Sequence, residues 1–279
     1  MSAVPTATRA AANGGLRTRG VCKQTRPGEP LTSVVTVVYN GARHIEQTIQ
    51  SVLGQSYGNL EYIVVDGGST DGTVDIIRKY DDRIDFWISE RDRGIYDAMN
   101  KGLGFAHGEI TNLLNADDYY CDPDVVRSVV EHVVARGGES VVVGDTLMTD
   151  GAKTALVKCG DLGQGLHYRI PFMHPSCFIP GALYRREGYY DTSYRIAADV
   201  DLLMRLMRAD VKFEPLGRPC VTMRHGGASN SRFGLGRREY ASIYHKHYRN
   251  ALRAIYGYVT SMTLFYLSSA KRAVTDGKR

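Results

Sequence analysis

Leu60-Glu61-Tyr62-Ile63-Val64-Val65-Asp66-Gly67-Gly68-Ser69-Thr70-Asp71-Gly72 is an apolar, β-branched run that stops at a turn of glycines, hydroxyls and acids. Such a run reads as a strand buried on both faces. Val74, Ile76, Ile77 and Tyr80 follow at helical spacing. Upstream, Leu31 to Tyr39 is a second buried strand, broken by Asn40-Gly41, with Ile45, Ile49, Val52 and Leu53 on one face of a helix. Downstream come a short strand over Asp85 to Ser89, a helix over Tyr96 to Phe105 and a strand over Ile110 to Leu114. This alternation predicts an α/β fold, a mostly parallel sheet with helices on both faces. Val125 to Val134 reads as a further helix and Ser140 to Val143 as a strand. A less regular middle section precedes a helix over Asp199 to Ala209, with Leu202, Leu203 and Leu206 inward. There is no internal repeat.

Open parallel sheets bind ligands beyond the carboxyl ends of their strands. Tyr39-Asn40, Asp66 to Ser69 and Asn115 to Asp118 all fall at such ends, so three polar clusters converge on one edge. Asp117 and Asp118 are adjacent carboxylates that repel each other. Hard oxygen ligands at one point favour Mg²⁺ or Mn²⁺ carrying a phosphate, although a polar turn has the same composition. Glycines in the Asp66 to Gly72 turn allow close approach of a ligand, and Ser69 or Thr70 can cap the next helix. A capped tight turn is the plainer reading. No G-K-[ST] follows, so this is not a P-loop, and no G-x-G-x-x-G follows the first strand, which disfavours a dinucleotide cofactor.

Of the 279 residues, 43% are apolar and 23% charged, ordinary for a globular protein. The net charge of +5 is mild, and with no basic-aromatic motif a nucleic-acid partner is not expected. Cys22, Cys121, Cys159, Cys177 and Cys220 are scattered and form no C-x-x-C pair, which argues against a disulfide framework and for a reducing compartment. Residues 1–30 lack the apolar core of a secretory signal and read as a disordered leader, with an organelle transit peptide as the weaker alternative. Ala251 to Ala270 is too polar for a confident membrane span. Beyond Cys220, arginines and lysines face only Glu239 and Asp276.

In order and at compatible spacing, Val34-Val35-Thr36-Val37-Val38-Tyr39-Asn40, Ser51 to Tyr57, Glu61 to Gly72 and Asn115-Ala116-Asp117-Asp118 resemble the motifs of a family 2 glycosyltransferase with the GT-A fold. Gly94 to Gly102 and Ala198 to Leu202 extend the resemblance, which covers Leu31 to Gly227. It implies a catalytic domain over 31–227, and the basic, apolar-interleaved pattern beyond it predicts an amphipathic helical extension over 228–279. It also implies transfer of a sugar, with inversion, from a UDP-, GDP- or dTDP-linked donor to an acceptor hydroxyl on a glycan or lipid-linked molecule. The setting it suggests is bacterial surface polysaccharide or glycolipid assembly, in the cytoplasm and at the inner face of the plasma membrane.

By the same resemblance, Tyr39 lies near the nucleotide base. Asp66 is the first acid of an Asp-Asp-Gly-Ser turn whose second acid is Gly67 here, leaving base recognition to Asp66 or to the backbone. Asn115 stands where the first acid of an Asp-x-Asp motif would be and can still bond a ribose hydroxyl. Asp117, on the donor side, and Asp118 keep the acids that hold Mn²⁺ or Mg²⁺. Asp199 is the catalytic base, although Ala198 replaces the usual Glu before it and an Asp there is also a common helix cap. Asp201 is the alternative on the acceptor or sugar side, although its spacing to Arg205 suits a structural pair. His174 belongs to an acceptor-side loop or is a satisfied core histidine. Lys101 and Arg91 reach phosphate or solvent, and His225 is a candidate for the metal shell.

From Arg237 onward, Tyr240, Ile243, Tyr244, Tyr248 and later apolar residues are interleaved with Arg and Lys. That pattern suits a peripheral helix on anionic lipid. It equally suits a helix packed on the catalytic domain or on a second copy in a homodimer. Two further functions stay open: a sugar-phosphate nucleotidyltransferase and a non-catalytic sugar-nucleotide-binding subunit.

Overall fold

The computed structural model of the chain describes residues 12–137, 139–160, 170, 172–226 and 233–249. In chain order the strands are β1 (Ala12–Gly14), β2 (Thr32–Val38), β3 (Leu60–Asp66), β4 (Phe86–Ser89), β5 (Ile110–Leu113), β6 (Tyr119–Tyr120), β7 (Ser140–Thr149), β8 (Thr154–Val157), β9 (Cys177–Pro180) and β10 (Lys212–Arg224). The helices are α1 (Ile45–Leu53), α2 (Thr73–Arg78), α3 (Ile95–Phe105), α4 (Val125–Arg136), α5 (Gly181–Glu187), α6 (Ala198–Arg208) and α7 (Phe233–Tyr248). All the strands join one mixed sheet in the order β1-β4-β3-β2-β5-β9-β7-β10-β6, with β8 beside β7.

The parallel sheet expected from the sequence is the set β4-β3-β2-β5. Every residue of β2 and β3 is buried. Side chains alternate across a strand, so Val34, Val38, Tyr62 and Val64 pack on one face with Ile45 and Ile49 of α1 and Val125 and Val129 of α4. Val35, Val37, Ile63 and Val65 pack on the other with Met99 and Leu103 of α3 and Leu202 and Leu206 of α6. Gly102 lets α3 lie close to the sheet, because a Cβ there would stand 2.3 Å from Val35 Cγ1. The irregular middle section is more ordered than its sequence suggests. There β9 runs antiparallel between β5 and β7, and β10 runs parallel to β7 with register shifts around Pro219.

The amino-terminal boundary differs from the sequence reading. Described residues ahead of Leu31 are not a disordered leader. β1 pairs antiparallel with β4 and seals that edge of the sheet. Arg17 pairs with Glu61, whose side chain is almost wholly buried, and Lys23 Nζ lies 2.9 Å from Asp85 Oδ2. Backbone pairing and ion pairs hold this segment, which has no apolar period to announce it. Residues 1–11 lie outside the described residues.

The extension also packs on protein where it is described. Tyr240, Ile243 and Tyr244 of α7 are buried against Ala197 and Met204 at α6, with Tyr248 alongside. These four residues therefore do not form a lipid-facing surface. Among the described residues no helix is long and apolar enough to cross a membrane. The rest of the proposed amphipathic stretch lies outside the described residues.

Candidate active site

Parallel pairing brings the ends of β2, β3 and β5 to one edge. Val38 is opposite Asp66, and Gly67 N–H donates to Val38 O at 2.8 Å. The turn after β3 is laced to the loop after β2. Thr70 N–H donates to Asn40 Oδ1 at 2.9 Å, Asn40 N–H to Ser69 Oγ at 2.7 Å, and Ala42 N–H to Asp71 Oδ2 at 3.0 Å. Asn40 adopts a left-handed φ of 49°, which Asn tolerates better than most residues.

Asp66 is fully buried within this lacing. It accepts the backbone N–H groups of Gly68 and Ser69, each at 3.0 Å, and the hydroxyls of Ser69 and Ser89. Its oxygens are occupied in shaping the turn, so it is not an open nucleotide ligand as the sequence suggested. Tyr39, by contrast, is 67% exposed and lines a cleft of about 590 Å³ together with Asp92, Arg93, Gly94 and Tyr96. It is not a core tyrosine.

The acidic turn after β5 is held from three sides. Thr48 of α1 lies with its hydroxyl 2.8 Å from Ala116 O and 2.7 Å from Asp118 O. Arg224, at the end of β10, donates to Asp117 O, and its guanidinium lies 4.9 Å from the centre of the Tyr119 ring. Asn115 Nδ2 donates to Asp118 Oδ2 at 3.1 Å, while the buried Asn115 Oδ1 has no partner among the described residues. Burial first, and then the charge of Asp117, push the Asp118 carboxyl up to about 7. A buried carboxylate beside a like charge, with a free amide oxygen next to it, fits a hard cation. Among the described residues no group of three His, Cys, Asp or Glu side chains could hold a metal, so His225 does not complete a shell there. Such a site would supply one or two carboxylates, with the other ligands coming from phosphate and water, as is usual for Mg²⁺.

Asp199 and His174 line a second cavity, of about 580 Å³, walled by Phe172, Ile196, Phe233 and Tyr240. Ile196 lines both cavities. Asp199 Oδ1 lies 3.0 Å from the Tyr96 hydroxyl, which also lies 2.7 Å from Ile196 O, and Asp199 Oδ2 lies 4.0 Å from His174 Nδ1. Burial lowers the His174 pKa, only partly opposed by Asp199, and its Nε2 has no partner among the described residues. A phenol and an imidazole therefore face this part-exposed carboxylate inside the cavity.

Asp201 does not share this site. Its side chain is buried, with Arg205 Nε at 2.9 Å, Lys246 Nζ at 3.0 Å and His247 Nε2 at 2.9 Å. It is a structural anion between α6 and α7, and the acceptor-side role is corrected accordingly. Lys101 is likewise committed, with its Nζ 2.9 Å from Glu90 and 3.6 Å from Asp97, whereas Arg91 is exposed.

Sequence reasoning did not single out Asp92, Tyr96 or Glu239, and it counted Arg224 only as part of a basic tail. Glu239 of α7 accepts the backbone N–H groups of Arg195, Ile196 and Ala197 at 2.9, 2.9 and 3.0 Å, on the run that leads into α6. Its only sequence signal was its isolation as an acid among basic residues.

A sequence model described as Glycosyl transferase family 2 matches residues 33–190. An uncharacterized glycosyltransferase of Mycobacterium tuberculosis is 33% identical over 196 residues, 69% of this chain and 73% of the relative. A PGL/p-HBAD biosynthesis glycosyltransferase of Mycobacterium bovis is 29% identical over 182 residues, 63% of this chain and 69% of the relative. Among solved structures, S. aureus TarS 1–349 in complex with UDP-GlcNAc aligns with a TM-score of 0.64 at 18% identity, covering 80% of this chain and 69% of that one. The mannosyltransferase PcManGT from Pyrobaculum calidifontis, in complex with GDP-Man and Mn²⁺, aligns with a TM-score of 0.61 at 19% identity, covering 84% and 69%. The chain spans 41% of a longer S. aureus TarS chain.

Proposed function

Because the chain belongs to glycosyl transferase family 2, we propose that it is a metal-dependent, inverting glycosyltransferase that takes a nucleoside-diphosphate sugar and glycosylates an acceptor hydroxyl. The observation that carries this reading is Asp118, buried beside Asp117 at the carboxyl end of β5. A Mn²⁺ or Mg²⁺ ion held by Asp117 and Asp118 would bind the donor diphosphate and neutralise charge on the leaving group. Asn115 lies beside this pair as the candidate ligand of the ribose.

Asp199 accepts the acceptor hydroxyl's proton as the oxygen attacks the anomeric carbon. The bond from that carbon to the diphosphate oxygen breaks on the opposite face, which inverts the centre. The Tyr96 hydroxyl, 3.0 Å away, holds the Asp199 carboxylate in place, with the His174 ring alongside. Much of the acceleration comes from positioning two substrates in one site.

The donor classes are UDP-, GDP- and dTDP-sugars, and the acceptor is a glycan or lipid-linked molecule. The TarS complex with UDP-GlcNAc and the PcManGT complex with GDP-Man support the first two donor classes, and the PGL/p-HBAD biosynthesis relative supports a role in glycan assembly. A cytoplasmic location at the inner face of the plasma membrane goes with such an acceptor. Family membership favours this reading over a nucleotidyltransferase. Donor turnover separates it from a non-catalytic binding subunit.

The test is a thermal-shift screen of nucleotide sugars with Mn²⁺, because a ligand that binds the native state raises Tm without any acceptor. Turnover of the stabilising donor is then measured with and without chelator. Chelation and Asp118→Ala are each expected to remove nearly all transfer while the fold persists. Full activity in excess EDTA would sink the metal-dependent mechanism.

A further inference from the structure

The Tyr39 cleft contains a carboxylate that the mechanism above does not use. Asp92 lies just beyond β4, in the turn that leads into α3. Its Oδ1 accepts the Gly94 N–H at 2.9 Å, and its Oδ2 has no hydrogen-bond partner among the described residues. That free oxygen is turned toward Gly67. A Cβ built on Gly67 would stand 2.3 Å from Asp92 Oδ2 and 3.4 Å from Tyr39 Cδ2. A side chain at position 67 and the Asp92 carboxylate therefore compete for one volume, and glycine leaves it to Asp92.

The surroundings suit a flat ligand with a donor on its edge. Tyr39 offers an exposed ring in the same cleft, and an aromatic face stacks on any base. A carboxylate offers acceptors only, and its bond to an N–H is stronger than one between neutral groups. Asp66 cannot serve here, since the turn and Ser89 occupy both its oxygens.

We propose that Asp92 reads the base of the donor nucleotide and selects bases that carry a ring N–H at the pairing edge: uracil, thymine or guanine. Cytosine and adenine present a ring nitrogen lone pair at the corresponding position. Their binding would set that lone pair against the carboxylate and leave Asp92 without a donor from the ring, the situation in which polar sites discriminate most. This assignment rests on the nucleotide-sugar reading of the preceding subsection.

The test is calorimetric binding of UDP, dTDP, GDP and CDP, with Mn²⁺, to the full chain and to Asp92→Asn. The wild type is expected to bind at least one of the first three about tenfold or more tighter than CDP. Asp92→Asn presents a donor as well as an acceptor and is expected to reduce that preference to about threefold or less. Asp92→Ser keeps an oxygen for the Gly94 N–H and serves if the amide variant misfolds; the same loss of preference is expected. Moving the acid, with Gly67→Asp and Asp92→Gly together, is expected to restore discrimination. A wild type that prefers CDP, or a preference unchanged in both single variants, overturns the base assignment and leaves the donor reading standing. Failure of the wild type to bind any nucleoside diphosphate overturns both.

Discussion

Asp199 and Asp201 stand two residues apart on α6, so at about 100° per residue their side chains leave the helix in roughly opposite directions. One meets a cavity and the other an ion cluster, and their substitutions should separate cleanly. Asp199→Asn is expected to lower the transfer rate by ~10²–10⁴, the range for loss of a general base, with donor binding and Tm nearly unchanged. Asp201→Asn should do the reverse, costing about 3 kcal/mol, the low end for removing one partner of a buried pair, because Lys246 is half exposed. Steady-state kinetics and thermal melts on both variants check the pair. An active Asp199→Asn beside a stable, inactive Asp201→Asn would reverse the two roles.

The Asp201 cluster also sets an acid limit. Burial alone would raise the Asp201 carboxyl, but hydrogen bonds from His247, Lys246 and Arg205 outweigh it and hold the pKa below its ordinary value. A depressed folded-state pKa means that the stabilisation is complete above the unfolded value of about 3.9 and is lost as pH falls through the folded one. Melts of the wild type should therefore drop more steeply below pH of about 4 than those of Asp201→Asn. An equal slope in the two proteins would remove Asp201 as the source. At this scale the sequence offered Asp117, Asp118 and Asp199 through motif order, and it could raise but not decide the structural reading of Asp201. It was silent on Asp92, whose meaning arises from a contact with Gly67 across 25 positions.

Elements with a clean period were legible. β2, β3, β5, α1 and α6 appear close to where apolar repeats put them. β10 was not, because Pro215, Gly217 and Pro219 interrupt it, and a strand with two prolines reads as a loop until bulges absorb them. α7 was legible as a helix, but its docking face was not. Hydrophobic spacing alone cannot say whether lipid, a second copy or α6 covers that face. Its Glu239 gives a test at this scale. The carboxylate closes three N–H groups at the entry to the helix that carries Asp199, and a negative charge there also favours the helix dipole. Glu239→Ala is expected to cost about 1–2 kcal/mol, as for a lost cap, and to lower kcat with little change in donor affinity. A fall in Tm with kcat intact would mean that the cap supports the fold without positioning the base.

At the scale of the molecule, the sheet is closed on the β4 side by residues that composition marks as a leader. Arg17 reaches over to Glu61 and to Phe105 O, joining the first described segment to β3 and α3. A chain cut to begin at Leu31 would leave the buried Glu61 without the Arg17 guanidinium and the β4 edge unpaired. Such a chain is expected to melt lower and to aggregate more than one beginning at Ala12. Light scattering during a thermal ramp compares the two. Identical melting and scattering would return these residues to the status of a dispensable leader. The ordered motifs lie between β2 and α6, which is why the elements of that stretch were legible. The amino-terminal flank was misjudged, and the docking face of α7 was left open, because tertiary pairing, not local pattern, fixes them.

The shared volume at Gly67 and Asp92 carries a historical consequence. Two positions on different strands' ends contend for one space, so a lineage can hold the acid at either but not comfortably at both. Relatives with an acid at the position of Gly67 should have lost the one at the position of Asp92, and relatives with glycine there should have kept it. A passage between the two states would run through double replacement, or through a smaller residue at one position, and would leave a signature of mutual exclusion across the family.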